Sequence, residues 1–163
     1  MRRLLLTCLL IALALPSVAL AVRSGGGSDG TLAVRNAASD PGVPVVSMTI
    51  TGAVIGQLDR GRILIDDPSP SDGPGPVVTG ADHQRDVSGT ATLYSGTDIR
   101  FRAVGGKYRI RIFGTGINVN AVGQGFVRLI GSPLLTNDGK YSLNGGDWKS
   151  LPDLGDTFVL SGG

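Results

Sequence analysis

Residues 96–131 read GTDIRFRAVGGKYRIRIFGTGINVNAVGQGFVRLIG, and this stretch decides the fold class. Its glycines recur every nine residues, at positions 96, 105, 114 and 123, and the segments between them alternate apolar with polar side chains. Alternation with a period of two is typical of strands that bury one face, whereas a helix repeats every 3.6 residues. The stretch therefore predicts four short antiparallel strands separated by tight turns at glycine.

The spacing also predicts a register for these strands. If residues 105–106, 115–116 and 123–125 are the three turns, every apolar residue meets another apolar residue across a hairpin. Such a meander needs one buried face, and three successive hairpins agree on it. The residues of this predicted face are Ile99, Phe101, Ala103, Tyr108, Ile110, Ile112, Val119, Ala121, Val127 and Leu129.

The rest of the chain carries further short strand signals and no apolar stripe of helical period. Residues 66–76, DDPSPSDGPGP, contain four prolines and predict an exposed loop or hinge, since proline cannot donate to a strand ladder. We expect an all-β fold, an antiparallel meander that forms a β-sandwich or a partly closed barrel. A β-solenoid, with residue i stacked on residue i+18, is the alternative that the glycine period leaves open.

The N-terminus has the form of a secretory signal peptide. Arg2-Arg3 precede an apolar run, and Ala19-Leu20-Ala21 supplies the small residues that a signal peptidase reads, which predicts cleavage after Ala21. The apolar run, 4–15, is too short for a comfortable transmembrane helix. We therefore expect a secreted or cell-envelope protein with a flexible leader at 22–30 and one β domain at 31–163, without a transmembrane segment in the mature chain.

Composition excludes several kinds of site from the mature chain. Its only cysteine, Cys8, lies in the signal peptide, so neither a disulfide nor a cysteine zinc site can form after cleavage. The net charge of +2 also belongs to the precursor, because removing Arg2 and Arg3 leaves 13 basic residues against 13 aspartates. No glycine run precedes a helix that could hold a phosphate, and we expect neither a cofactor nor a metal.

One charge pattern has two interpretations: strands exposed to water need polar residues and use arginine for them, which is the interpretation we favour, or the basic residues form an anion-binding sheet. Basic residues alternate with the inward apolar residues of the glycine-rich stretch, which predicts that they share its outer face. The predicted register sets Arg102 opposite Arg109 and Arg100 opposite Arg111, so the face needs nearby aspartates or an external anionic polymer to relieve the repulsion. The candidate anion-binding residues are Arg100, Arg102, Lys107, Arg109, Arg111 and Arg128.

Three other constellations give weaker hypotheses. His83, between Asp82 and Asp86, could act as a general base for Ser88 in a small hydrolase, but no nucleophile motif accompanies it. The aspartates Asp66, Asp67 and Asp72 could together bind a calcium ion. We favour the interpretation that they belong to a solvated acidic loop.

The aromatic residues are few. Trp148 and Tyr141 could form a platform for sugars, but we favour an interpretation in which Trp148 closes one end of the core.

The chain has a distinctive composition, with glycine- and valine-rich strands such as 105–119, GGKYRIRIFGTGINV, and a preference for arginine over lysine. In this it resembles the exported Gly-, Val- and Arg-rich β proteins of high-GC Gram-positive bacteria. The resemblance implies no functional residue. Two functions stay open. The first is a secreted or cell-envelope, non-enzymatic binding or structural module whose ligand the sequence does not name, an anionic polymer on the basic sheet face being one candidate. The second is a small extracellular hydrolase that uses aspartates and His83.

Overall fold

The computed structural model describes residues 28–40, 42–132 and 139–161 of the chain. These residues form eight strands and no helix. In chain order the strands are β1 (Gly30–Ala37), β2 (Val46–Asp66), β3 (Val77–Asp86), β4 (Ala91–Thr115), β5 (Ile117–Leu129), β6 (Lys140–Leu143), β7 (Lys149–Ser150) and β8 (Asp156–Leu160). The predicted signal peptide lies outside the described ranges, and within them no helix is long and apolar enough to cross a membrane.

Every strand pairing among the described residues is antiparallel. The strand order is β3-β4-β2-β5-β1-β6-β7, and β8 pairs with β5 beside this path. The predicted all-β, antiparallel class is therefore confirmed, and the sheet is not closed into a barrel. Residues 67–76 connect β2 to β3, and β1 begins at Gly30, the last residue of the predicted leader.

The long strands pass through two layers. Residues 46–49 of β2 pair with residues 109–112 of β4, and residues 63–66 of β2 pair with the same segment from its other side. The two ends of β2 therefore lie in one layer with a segment of β4 between them. The middle of β2 must pass through a second layer to connect them. Layer I contains 46–51, 62–66, 83–86, 91–95, 107–113 and 124–129, extended by β8. Layer II contains 53–60, 77–79, 97–104 and 117–122, extended by β1, β6 and β7.

Two rows of glycine mark the places where strands cross between the layers. Gly52 and Gly61, nine residues apart in β2, each lie between two glycines, Gly52 between β4 and β5 and Gly61 between two segments of β4. Both have a φ of 152°, and a Cβ on Gly61 would collide with the Phe113 carbonyl oxygen. The nine-residue spacing of the glycines therefore corresponds to the length of strand that runs from one row to the other. The rows are Gly106-Gly52-Gly123 and Gly96-Gly61-Gly114.

The three predicted hairpins are wrong. Residues 105–106 lie inside β4 and residues 123–125 inside β5, while β4 and β5, which meet at 115–117, both pair with β2 instead of with each other. Gly105, with a φ of 83°, is the extra residue of a bulge opposite Gly52. A distant strand, β2, supplies the hydrogen-bonding partner that the sequence pattern assigned to adjacent segments.

The solenoid alternative does not form either, although its period is present. Thr92 and Ile110, which are 18 residues apart, both pair with Ile65. A solenoid would place them in direct parallel contact, whereas here an antiparallel segment of β2 separates them.

The predicted buried face is nevertheless confirmed. All ten of its residues are buried in one core, together with residues of β1, β2 and β8. Tyr108 is fully buried, and its hydroxyl donates to the carbonyl oxygens of Pro74 at 3.2 Å and Val104 at 3.3 Å. These bonds tie the proline-rich loop to the core.

Candidate anion-binding groove

The six predicted basic residues are all exposed, but the fold does not gather them on one face. Arg100 and Arg102 lie on the outside of layer II, whereas Arg109, Arg111 and Arg128 lie on the outside of layer I. Lys107 follows the bulge between the layers, where its backbone N–H donates to Asp72 Oδ2 at 3.2 Å. The set is divided because β4 changes layer at the bulge.

The predicted pairs of like charges also do not form. Arg102 pairs with Ile55 and Val77, and Arg100 pairs with Gln57 and Thr79, so no two arginines lie directly opposite each other here.

On layer I, by contrast, an aspartate neutralises one of the arginines. Arg109 pairs with Asp66 across the strands, and its Nη1 lies 3.2 Å from Asp66 Oδ2. This is the single ion pair among the described residues, and it shows that an aspartate next to the proline-rich loop covers part of the basic set.

A groove of about 540 Å³ runs across the outside of layer II. Its lining comes from five strands that are distant in sequence, β1 to β5. Because residues two apart on a strand share a face, the cross-strand pairs build two parallel rows of side chains. The first row is Thr79, Arg100, Gln57 and Asn118, and the second is Val77, Arg102, Ile55 and Asn120.

Arg35 of β1 forms the far end of the groove and is held rigidly. Its Nη1 donates to the carbonyl oxygens of Val34 at 2.8 Å and Val119 at 3.3 Å, and its Nη2 donates to Asn120 Oδ1 at 2.8 Å. The guanidinium carbon lies 5.7 Å from the centre of the Trp148 ring, within cation–π range. This end of the groove is thus preorganised by hydrogen bonds and by an aromatic face.

Trp148 differs from the sequence-based interpretation that placed it in the core. Its side chain is half exposed, with a relative accessibility of 50%. Tyr141 is the buried member of the predicted pair, and its ring packs 5.2 Å from Phe158. Of the predicted aromatic pair, the member available to a ligand is therefore Trp148, which lies beside Arg35.

The groove is electropositive. Arg35, Arg100 and Arg102 line it and no aspartate does. Among the described residues, neither Arg100 nor Arg102 has a carboxylate within ion-pair distance. An arginine pair of this kind can make charge-assisted, bidentate hydrogen bonds to carboxylate or phosphate oxygens.

Amide side chains occupy the middle of the groove. Asn118 accepts a hydrogen bond from the Asn36 N–H at 3.2 Å and donates to the Gly116 carbonyl oxygen at 3.0 Å. Gln57 is exposed, and its side chain makes no hydrogen bond to another described residue. These groups can exchange hydrogen bonds with hydroxyl or amide groups of a neutral ligand segment.

Sequence reasoning missed Arg35, Gln57, Asn118, Asn120 and the exposure of Trp148. Alternation could have placed each one on an outward face of its own strand. Their assembly depends on the order of five strands, which no local pattern contains.

The residues proposed for a hydrolase are not assembled. His83 lies on β3 opposite Ser95, and Asp86 projects from the other face of the same strand, where it accepts a hydrogen bond from Thr92 Oγ1 at 3.0 Å. Ser88 lies in the β3–β4 turn, where its Oγ accepts from the backbone N–H of Ala91 at 3.1 Å. No hydrogen bond joins these groups into a base–nucleophile pair.

The aspartates proposed as calcium ligands are likewise not assembled into a site, and two of them have other partners. Asp66 pairs with Arg109, and Asp72 accepts from the Lys107 N–H. Asp67 is buried, and its Oδ1 has no hydrogen-bond partner. Within the described ranges, no three acidic, histidine or cysteine residues lie together as metal ligands.

Comparison with protein-family models, with curated proteins and with solved structures finds no match to this chain.

Proposed function

We propose that this chain is an exported, non-enzymatic binding module whose layer II groove holds an anionic extracellular polymer. The observation that carries the proposal is the pair Arg100 and Arg102, exposed side by side on one strand of a groove without acidic residues. Two residues apart on a strand is about 7 Å, a spacing at which both guanidinium groups can reach one charged chain.

The shape of the site supports a polymer over a small ion. The groove is open and crosses five strands, so a ligand can extend beyond both ends of it. Five strands span about 19 Å at the usual separation of neighbouring strands. A chain molecule can use this whole length, whereas a small anion would contact only one arginine pair.

Binding of the purified protein to sodium hyaluronate and to sodium polyphosphate, measured by calorimetry at low and high NaCl, tests the proposal. We expect binding to at least one of them that weakens as salt rises, because counterions are released when charges pair. The double variant Arg100→Gln/Arg102→Gln should lower the affinity by about tenfold or more at low salt, with a weaker salt dependence.

The matched control is Arg111→Gln/Arg128→Gln, which removes the same charge from the outside of layer I. It should change the affinity by less than about threefold, since exposed charges far from the ligand are screened. Equal losses for the two double variants would mean that only net charge matters, and the groove would then not be the site.

A further inference from the structure

The groove carries positive charge in two places, with neutral polar groups between them. Arg100 and Arg102 lie on β4, and Arg35 lies on β1, three strands away. At the usual separation of strands this distance is about 14 Å. The strands between them contribute Gln57, Asn118, Asn120 and the exposed side chain of Ile55.

The Arg35 end also carries the aromatic surface. Trp148 lies against the guanidinium of Arg35, and half of its side-chain surface stays exposed. An indole presents a flat apolar face and an N–H donor, a combination suited to a ring that is apolar on one face and hydroxylated at its edge. Arg35 lines the groove, and Trp148 lies against Arg35 outside the groove lining, so an exposed aromatic side chain lies next to this end of the groove.

From this arrangement we infer that the polymer is an acidic polysaccharide in which charged units are separated by neutral ones. The inference rests on the proposed function and names its ligand class. An acidic sugar pairs with Arg100 and Arg102, neutral sugars exchange hydrogen bonds with the amides, and a further ring packs on Trp148 beside Arg35. Nucleic acid fits less well, because single strands are typically bound by a positively charged groove that follows the backbone and by aromatic side chains that stack on successive bases.

Competition between three polymers tests the ligand class. Hyaluronan oligosaccharides alternate a uronic acid with a neutral amino sugar, oligo-dT carries a phosphate on every unit, and dextran has no charge. We expect hyaluronan to bind about tenfold more tightly than oligo-dT of equal charge, and dextran to bind least. Oligo-dT or polyphosphate binding as tightly as hyaluronan through the same arginines would overturn the polysaccharide inference and leave the proposed function standing.

Substitution of the tryptophan tests the ring contact separately from charge. Trp148→Ala should weaken hyaluronan binding by about fivefold without changing its salt dependence, and Trp148→Phe should recover part of the loss. Thermal unfolding of both variants controls for folding, which an exposed side chain should change little. Unaltered hyaluronan affinity in folded Trp148→Ala would contradict the inference, and no binding of any anionic polymer would overturn both proposals.

Discussion

Gly61 lies in the second half of β2 between Gly96 and Gly114, with a φ of 152°. An L side chain is strained at this φ, and the space for its Cβ is already filled by the Phe113 carbonyl oxygen. The backbones of β2 and β4 approach closely at this row because none of its three residues has a side chain. The crossing between layers thus depends on individual glycines.

Gly61→Ala should lower the free energy of unfolding by about 3 kcal/mol or more, since it combines backbone strain with a collision that requires the strands to separate. Urea denaturation measures the loss. Gly89→Ala is the control, because a Cβ at Gly89 meets nothing within 4 Å. Equal stability of the two variants would contradict the role given to the glycine rows.

The buried phenol of Tyr108 should make the stability of the folded state depend on pH. Burial, and then the negative charges of Asp67 and Asp72, raise the pKa of its phenol above the ordinary value of 10.0. The folded state therefore holds this proton more tightly than the unfolded chain does. The contribution of Tyr108 to the stability of the folded state is fully present below pH 10.0. It is lost as the pH rises from there through the pKa of Tyr108 in the folded state.

Denaturation of the wild type and of Tyr108→Phe across the alkaline range checks this expectation. The wild type should lose stability more steeply above pH 10.0 than the variant, which has no phenol at this position. Parallel curves would show that the folded state does not suppress ionisation of Tyr108.

At the scale of elements, β4 shows what the sequence could and could not predict. The buried residues are odd-numbered before the bulge, as in Phe101 and Ala103, and even-numbered after it, as in Tyr108 and Ile110. Alternation revealed both sets, because it depends only on neighbouring residues. It could not distinguish a Gly105-Gly106 turn from a bulge, since the difference depends on pairing with β2, more than 40 residues earlier.

β4 should tolerate the loss of its bulge residue. Deleting Gly105 gives β4 an uninterrupted alternation that keeps Ala103 and Tyr108 on the buried face, so the protein should fold with reduced stability. Deleting Arg111 instead turns the residues beyond it to the wrong face and should abolish folding. Far-UV circular dichroism and thermal unfolding distinguish the two, and a reversed order would contradict the assigned bulge.

At the scale of the whole molecule, the candidate site depends on topology more than on any segment. Arg100 and Arg102 could be named from alternation within one strand. Arg35 could not, because it reaches the groove only through the order β4-β2-β5-β1, and Trp148 comes to lie against Arg35 only because β6 and β7 follow β1 in the sheet. The same winding sends Arg109, Arg111 and Arg128 to the opposite layer, so a basic pattern that is continuous in sequence is divided in space.

Export is the property on which the proposed setting depends. The small residues at Ala19 and Ala21 predict cleavage after Ala21. Mass spectrometry of the exported protein should therefore find a chain that begins at Val22. An intact Met1, or a lipid on Cys8, would contradict this expectation.

The central claim, that the outside of layer II binds an anionic polymer, is tested most directly by amide chemical shifts. Hyaluronan oligosaccharide and polyphosphate are titrated in parallel into isotopically labelled protein at low salt. We predict saturable shifts that cluster at groove residues such as Gln57, Arg100 and Asn120, with little change at Ser47 and Arg111 on layer I. Shifts confined to layer I, or none with either polymer, would contradict the claim.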